Sequence, residues 1–220
     1  MSDGRKNYQK LLDDTLQKLK KEGQRPRLLL HACCAPCSSY VLEYLTEYFD
    51  ITLFFYNPNI SPEKEYRFRH EELCRLVSEM KLPGGVSVVC GSYDTGRFEE
   101  ISRGLEDLPE GGSRCMACYR LRLRETARVA AEGGYDFFCT TLSISPYKNA
   151  AWLNTIGEEE GAAAGVPWLF SDFKKRGGYK RSCELSETYG LYRQNYCGCI
   201  WSKRQREAHD RLCTGDNPAK

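Results

Sequence analysis

The chain has 220 residues, a length that predicts one domain with at most a small appendage. Hydrophobic residues make up 41% and charged residues 28%, which is typical of a folded globular protein and excludes a disordered one. The formal net charge of +2 excludes a global basic field. No segment has 18 consecutive apolar residues and the polar N-terminus lacks a signal-peptide core, so we expect a cytoplasmic protein without a membrane segment.

Hydrophobic periodicity predicts strands that alternate with helices along the chain. Leucines at helical spacing predict a helix in residues 1–24, assigned as an N-terminal helical extension. Residues 25–220 are then expected to form a single α/β catalytic domain with a helical C-terminal part. Within it, short apolar runs predict five strands, at 27–31, 51–56, 85–90, 135–142 and 166–170. The helices between them are predicted at about 38–48, from about 62, and at about 97–106, 115–132 and 149–164.

This alternation is typical of an α/β fold, a Rossmann-like parallel sheet flanked by helices, here with a helical C-terminal tail. In such sheets the functional site lies beyond the carboxyl ends of the strands. The loops expected to build the site are therefore those at 32–38, 57–62, 91–96, 141–148 and 171–180.

Twelve cysteines are unusual for a chain expected in a reducing compartment. Five of them stand alone in helix or strand patterns, where a cysteine is typically a small core residue. The other seven fall into three short motifs: CCAPC (Cys33, Cys34 and Cys37), CMAC (Cys115 and Cys118) and CGC (Cys197 and Cys199). Clustered thiols in the cytosol indicate metal binding or redox chemistry.

The spacing of these motifs leaves the kind of site open. Seven cysteines exceed the four ligands of a structural zinc ion, and an iron–sulfur cluster with four cysteine ligands leaves three over. The CxxxCxxC spacing is absent, because residue 40 is Tyr40. Reactive free cysteines remain an alternative to a metal or cluster site. The motifs GxxxxGK[ST], GxGxxG and HExxH are also absent, and with three histidines a histidine-based metal site is not expected.

Local basic runs contrast with the near-zero net charge. Residues 114–128 hold five arginines, residues 174–181 hold five cations and no acid, and a third cluster lies at 203–206. Aromatic residues are interleaved with these runs, a combination that suits phosphates and unstacked bases of RNA. A solvated surface is the alternative interpretation.

The chain resembles the cobalamin-independent epoxyqueuosine reductases of the QueH type in six ordered blocks: HACCAPCS, YNPNISPEKEYRFR, RCMACYRLRLRE, TTLSISPYKN, DFKKRGGY and LYRQNYCGCIWS. The resemblance runs from about residue 27 to 202 and includes all three cysteine motifs. It implies the last step of queuosine biosynthesis, the reductive removal of the epoxide oxygen of epoxyqueuosine in the tRNA anticodon loop. It also implies a layout similar to the adenine-nucleotide α-hydrolase (PP-loop-like) fold. Because CCAPCS stands where that fold has its nucleotide loop, no ATP is expected.

The resemblance also implies site residues. Cys33, Cys34, Cys115 and Cys118 would bind a [4Fe-4S] cluster, and Cys197 and Cys199 would be a redox-active pair that cycles through a disulfide. Cys37 is placed with the catalytic residues and would complete a second metal site beside the cluster, with an additional iron. The alternative that Cys197 and Cys199 only bind metal stays open. Four residues within the matched blocks are expected to contact the substrate: Tyr147, Lys174, Lys175 and Arg193.

The chemistry is consistent with these assignments. Removal of the epoxide oxygen takes two electrons, which a dithiol supplies as it becomes a disulfide, and a Lewis-acidic iron stabilises the developing alkoxide. Tyr147 and His31 are candidate proton donors by position. The electron donor is not specified. Two alternative functions are a zinc- or cluster-stabilised tRNA-binding protein and a PP-loop-like tRNA-modifying enzyme.

Overall fold

The computed structural model describes residues 6–214 of the chain. Four parallel strands form one sheet in the order β3-β2-β1-β4, so the first strand lies at its centre. The strands are β1 (Arg27–His31), β2 (Asp50–Phe55), β3 (Ser87–Cys90) and β4 (Phe137–Thr140). This order is that of a Rossmann-like sheet, and it confirms the predicted fold class.

Eight α-helices accompany these strands within the described residues. They are α1 (Tyr8–Glu22), α2 (Ala35–Leu45), α3 (Glu63–Glu79), α4 (Thr95–Ser102), α5 (Ser113–Glu132), α6 (Ala150–Ala164), α7 (Gly178–Thr188) and α8 (Ile200–Thr214). A short 3-10 helix at Thr141–Ile144 follows β4. None of the described helices combines the length and the apolar character needed to span a bilayer.

The central strand explains the position of the core. Leu28, Leu29 and Leu30 of β1 are fully buried, because a strand with neighbours on both edges and helices on both faces has no solvent side. Phe49 and Phe138 join them in the main apolar cluster. The apolar run of β1 therefore lies in the part of the sheet that excludes water. The polar residues that can form a site lie in the loops at the ends of the strands.

The predicted fifth strand, 166–170, is wrong. This segment runs beside β4 but makes only an isolated parallel bridge between Phe138 and Trp168. Two backbone hydrogen bonds hold it there, from Phe138 to the carbonyl of Pro167 and from Leu169 to the carbonyl of Phe138. Pro167 has no N–H to extend the ladder, so an apolar segment lies along the sheet without becoming a regular strand.

Several helix boundaries differ from the predictions, at both starts and ends, and α4 ends at Ser102 and not at the predicted 106. The helix predicted from Ser38 begins at Ala35, because Cys34 is its extended N-cap and Pro36 lies in the first turn. The helix predicted in residues 1–24 is observed as α1, whose Leu12 and Leu16 are buried in the same apolar cluster as β1. Residues 1–5 of this predicted extension lie outside the described residues. The division of the chain into an N-terminal extension at 1–24 and a catalytic domain at 25–220 stays a prediction.

Candidate active site

The CCAPC motif lies directly after β1, at the carboxyl edge of the sheet. The Sγ atoms of Cys33, Cys34 and Cys37 all lie within 4.8 Å of one another. The sulfurs of Cys33 and Cys34 are 3.7 Å apart. The turn thus brings three thiols together at the N-terminus of α2, where the helix dipole favours a thiolate.

These three thiols do not titrate independently. Hydrogen bonds from Cys33 and Cys37 hold the pKa of the Cys34 thiol well below its usual range, against the effect of burial. The contact with Cys34 raises the pKa of Cys33 to about 12, and contacts with Cys33 and Cys34 raise the pKa of Cys37 far above its ordinary value. The interactions among the three thiols therefore favour the thiolate at Cys34 and the protonated form at its two neighbours.

The CMAC motif lies at the start of α5. Cys115 and Cys118 are buried and, three residues apart, share one face of the helix. The Gly111 N–H donates to the sulfur of Cys115 at 3.3 Å. Burial raises the pKa of the Cys118 thiol to about 12, although the charge of Arg122 opposes this shift. The surrounding protein keeps Cys118 protonated, so metal binding would have to displace its proton.

The CGC motif precedes α8 and rests on the loop after β2. Gly198 has a φ of +128°, which L-residues rarely adopt, and a Cβ there would lie 3.1 Å from Nη1 of Arg69. Arg69 donates to the carbonyl of Cys197 at 3.1 Å, and the Ser61 N–H donates to the carbonyl of Gly198 at 2.9 Å. The buried Cys199 sulfur accepts the N–H of Ser202, in the first turn of α8, at 3.4 Å. These contacts fix the two thiols in place.

The guanidinium of Arg122 connects the three motifs. Arg122 is buried on α5, where it donates to Oδ1 of Asn57 at 3.3 Å and to the carbonyl of Cys118 at 3.4 Å. Its Nη2 has no hydrogen-bond partner in the part of the chain that the structure describes. Burial disfavours the charge on Arg122, but the neighbouring Cys118, Cys197 and Cys33 outweigh burial and raise its pKa. Arg122 donates to the carbonyl of Cys118 and lines the cavity with Cys33 and Cys197, so this cation lies close to one cysteine of each motif.

A cavity of about 550 Å³ opens at the CCAPC and CGC motifs. Cys33, Cys37 and Cys197 line it together with Arg122. Cys34, Cys115, Cys118 and Cys199 are buried and do not line it. The structure thus gathers thiols from two of the three motifs on one surface, and among the described residues the CMAC thiols do not join the group that the CCAPC sulfurs form within 4.8 Å.

A buried ammonium group also lines the cavity. Nζ of Lys148 lies 2.8 Å from Oε1 of Glu110, and both residues border the cavity. Burial disfavours the charged form of Lys148, but Cys197, Tyr119 and Glu110 outweigh burial and raise its pKa. Lys148 is therefore a protonated N–H donor beside the thiols.

The mouth of the cavity is aromatic and basic. Tyr147 is 77% exposed there, and Tyr179, Arg193 and Arg206 line the same opening. Nη1 of Arg193 donates to Oγ of Ser186 at 2.9 Å, which holds this side chain at the rim. Two of the four predicted substrate-binding residues, Tyr147 and Arg193, thus lie where a substrate would enter.

The other two predicted substrate-binding residues lie elsewhere. Lys174 pairs with Asp172 at 2.8 Å, and neither Lys174 nor Lys175 lines the cavity. Lys175 borders a second concavity beside α1, together with Arg176. The structure therefore does not bring these two lysines to the thiols.

His31, a candidate proton donor by sequence position, is fully buried in the sheet. Its Nδ1 lies 2.8 Å from Oγ1 of Thr140 and its Nε2 lies 3.0 Å from the carbonyl of Tyr56. Burial lowers its pKa to about 3. With both ring nitrogens engaged by the ends of neighbouring strands, His31 has a packing role and does not face the cavity.

Sequence reasoning singled out neither Arg122 nor Lys148 for the site. Arg122 lies four residues after Cys118, one helical turn along the same face of α5, and this spacing is the signal that could have identified it. Lys148 follows Tyr147 directly within the block TTLSISPYKN. Its burial could not be read from the sequence, because it depends on Glu110 from a distant loop.

The donor set fits a thiolate-bound metal group. All twelve cysteines lie within residues 6–214 and are free thiols. Nη2 of Arg69 and Nη2 of Arg122 are buried without hydrogen-bond partners among the described residues. An iron–sulfur cluster with cysteine ligands is anionic, and buried N–H groups beside the ligands suit that charge. The triad of Cys33, Cys34 and Cys37 can therefore hold a metal.

The chain matches the family model described as "Epoxyqueuosine reductase QueH" over residues 28–205. The protein of that name from Staphylococcus epidermidis is 42% identical over 200 residues, which cover 89% of this chain and 84% of the relative. The one from Thermotoga maritima is 38% identical over 192 residues, which cover 83% of this chain and 93% of the relative. These relatives match the chain across most of its length.

Two solved structures have a partly similar fold. One is described as a predicted subunit of tRNA methyltransferase from Methanocaldococcus jannaschii, with a TM-score of 0.46 and 13% identity over 73% of this chain and 74% of that one. The other is an NMN synthetase from Francisella tularensis, with a TM-score of 0.39 and 12% identity over 97% and 96%.

The matched region, 28–205, contains all seven cysteines of the three motifs and every residue that surrounds Arg122. It supports the reductase reading over the alternatives of an RNA-binding protein without chemistry and of a PP-loop-like tRNA-modifying enzyme. The chain belongs to the epoxyqueuosine reductase QueH family.

Proposed function

We propose that this protein removes the epoxide oxygen of epoxyqueuosine in the anticodon loop of tRNA and so forms queuosine. One observation carries the proposal: Cys33, Cys37 and Cys197 face the same cavity at the carboxyl edge of the sheet, beside the cation of Arg122. Thiols are the reducing groups of proteins, and the cavity gives them access to a bound nucleoside. Family membership supplies the substrate class.

We infer that Cys33, Cys34, Cys115 and Cys118 hold a [4Fe-4S] cluster, with Cys37 beside it. The unpartnered N–H groups of Arg69 and Arg122 support this assignment, because they would neutralise the negative charge of the ligands. When bound, the cluster would supply electrons. In the alternative role of the CGC motif, Cys37, Cys197 and Cys199 would hold an additional iron that supplies a Lewis acid, and the CGC pair would then not form a disulfide.

The remaining steps belong to the protein's own side chains. The dithiol of Cys197 and Cys199 gives up two electrons and ends as a disulfide, which an external electron donor must reduce again. The two electrons and two protons convert the epoxide to an alkene and water. Lys148, held at Nζ by Glu110, supplies a proton to the departing oxygen. Lys148 is buried and paired with Glu110, so the proton comes from a donor held in a fixed position.

The tRNA is bound by the exposed groups at the cavity mouth. Tyr147 and Tyr179 offer aromatic surfaces for unstacked bases, and Arg193 offers a cation for phosphate. Lys174 and Lys175 lie outside the mouth and would contact phosphates farther along the RNA. An enzyme of tRNA modification is expected in the cytoplasm, where thiols stay reduced.

The test is a conversion assay with metal analysis on one anaerobic preparation. Protein, tRNA carrying epoxyqueuosine and dithionite are incubated, and the nucleosides are identified by mass spectrometry after digestion of the tRNA. We expect queuosine to form and the protein to contain about four iron and four sulfide per chain. Cys37→Ser should abolish conversion, whereas Cys183→Ser, a half-buried thiol on α7, is the matched control that should convert normally. A colourless zinc protein that binds tRNA without converting it would contradict the proposal.

A further inference from the structure

A second group of thiols surrounds an imidazole at the edge of the sheet. Nε2 of His70 lies 3.0 Å from Sγ of Cys90 and 3.4 Å from Sγ of Cys74. His70 and Cys74 are four residues apart on α3, so they share one face of the helix. Cys90 is the last residue of the edge strand β3. Two elements thus bring three soft or borderline metal ligands to one place.

This group is separate from the candidate active site. His70 and Cys90 border a concavity of about 320 Å³ whose lining shares no residue with the thiol cavity. Cys90 is exposed, so an ion can reach the group from solvent. The carboxylates of Glu63 and Glu71 line the same concavity and make it favourable for a cation. Glu63 pairs at 2.6 Å with Arg67, which lines the same concavity, so Glu71 is the carboxylate there that forms no ion pair among residues 6–214.

The distances are close to those of a zinc site. Zinc binds nitrogen at about 2.0 Å and sulfur at about 2.3 Å, so the two ligand atoms of a tetrahedral site lie about 3.5 Å apart. The observed distances from Nε2 of His70 to the two sulfurs are 3.0 and 3.4 Å. Among the described residues only the CCAPC thiols form a group with all ligand atoms within 4.8 Å, so the sulfurs of Cys74 and Cys90 lie farther apart than that. One thiol must rotate about its Cα–Cβ bond for both to reach a shared ion.

We propose that His70, Cys74 and Cys90 bind a zinc ion that ties α3 to the edge strand β3. Two thiolates and one imidazole form a ligand set that prefers zinc over the hard cations calcium and magnesium, and water or Glu71 completes a tetrahedron. The imidazole is held in place by its contact with Phe55, whose ring centroid lies 5.3 Å from its own. Because β3 is a four-residue edge strand with mostly exposed residues, a cross-link to α3 would stabilise its position on the sheet.

Peptide-resolved thiol labelling tests this proposal in the intact, anaerobically purified protein. Trypsin releases Cys74 in the peptide 70–75 and Cys90 in the peptide 82–97, each with one cysteine, so the two thiols are measured apart from the active-site cysteines. N-ethylmaleimide labels thiolates, and a bound metal blocks them. With a small excess of Zn²⁺, we expect labelling of both thiols to slow about tenfold or more.

Two other thiols in the same protein serve as internal controls. Cys183 is half-buried on α7 and has no histidine contact among the described residues, and it is released alone in the peptide 182–193. Cys213 has one histidine partner, with its sulfur 3.8 Å from Nδ1 of His209, but no second thiol. We expect zinc to leave the labelling of Cys183 unchanged and to slow that of Cys213 much less than that of Cys74 and Cys90.

Two variants decide the role of each ligand. His70→Ala should abolish the zinc protection of both thiols, and Cys90→Ser should abolish that of Cys74. Labelling rates of Cys74 and Cys90 that zinc does not change, or that it changes no more than the rate of Cys213, would overturn the proposal. Full protection of Cys74 in both variants would overturn it as well, because the ion would then have other ligands.

Discussion

The cations of the thiol cavity and the cations of the segment 174–181, which ends in the first turn of α7, have different environments. Arg122 and Lys148 are buried beside cysteines, and Arg122 has a terminal nitrogen without a partner among residues 6–214. In the segment 174–181, Lys174 pairs with Asp172 at 2.8 Å and Arg181 pairs with Glu43 at 2.7 Å, and Arg176 pairs with Asp13. The two cavity cations are buried, whereas the cations of this segment are adjacent in the sequence and three of the five pair with carboxylates.

The difference shows that charge density along a sequence is a poor guide to electrostatic function. A surface ion pair is screened by water and contributes little, typically about 0–1 kcal/mol. A buried cation next to thiols keeps its field, because little water is present to screen it. We therefore expect substitutions at the cavity to change the chemistry, and substitutions in the segment 174–181 to change only the affinity for RNA.

Lys148→Met should lower the single-turnover rate of epoxide removal by about a thousandfold, because it deletes the proton donor and leaves a similar volume. The iron content and the affinity for tRNA should stay close to the wild-type values. Lys180 is exposed in the first turn of α7, and Lys180→Met is the matched control that should change the rate less than about twofold. Equal rates for the two variants would show that Lys148 is not the proton donor.

Arg122→Met should lower the rate by about a hundredfold, since it removes the cation that lies close to one cysteine of each motif. Iron and sulfide per chain should fall in the same preparation, because the thiolates lose their counter-charge. Arg128→Met is the matched control, because Arg128 lies on the same helix but is exposed and pairs with Glu132 at 2.6 Å. That variant should keep both the metal and the rate, and an Arg122 variant with full metal content would contradict the proposed role.

Gly198→Ala should lower the rate by about tenfold while both CGC thiols remain in the chain. The new Cβ is strained at a φ of +128° and approaches Arg69, so the segment that carries Cys197 and Cys199 must shift. Gly190→Ala also has a positive φ, +56°, but meets no atom within 4 Å, and it should leave the rate unchanged. A wild-type rate for Gly198→Ala would show that the position of the CGC thiols is not critical.

The double substitution Lys174→Ala with Lys175→Ala should weaken tRNA binding only severalfold. The slope of log affinity against log salt concentration should fall by the amount expected for the loss of about one or two phosphate contacts. The visible spectrum and the rate with saturating tRNA should not change. Arg193→Ala, at the cavity mouth, should weaken binding more than the double variant. Filter binding at several salt concentrations measures the tRNA affinity of both variants. A larger loss of affinity in the double variant than in Arg193→Ala would show that the main RNA contact is made by Lys174 and Lys175.

The position of the site could be predicted because it depends on local patterns. The apolar run of β1 followed by Cys33, Cys34 and Cys37 predicts thiols at the carboxyl end of a buried strand, and the structure places them there. The alternation of strands and helices predicts a parallel sheet. The strand predicted at 166–170 is wrong because apolar composition does not reveal that Pro167 lacks the N–H that a ladder requires.

The α/β class, the family and the three cysteine motifs follow from the sequence alone, because each depends on the periodicity or spacing of short segments. Which cations face the thiols depends on tertiary contacts. The spacing of Arg122 from Cys118 places it on the cysteine face of α5, but the sequence does not show that Arg122 is buried whereas Arg120 and Arg124 pair with Glu160 on α6. Burial and electrostatic environment depend on contacts between segments far apart in the chain, such as that of Lys148 with Glu110, and these exist only once the helices have packed on the sheet.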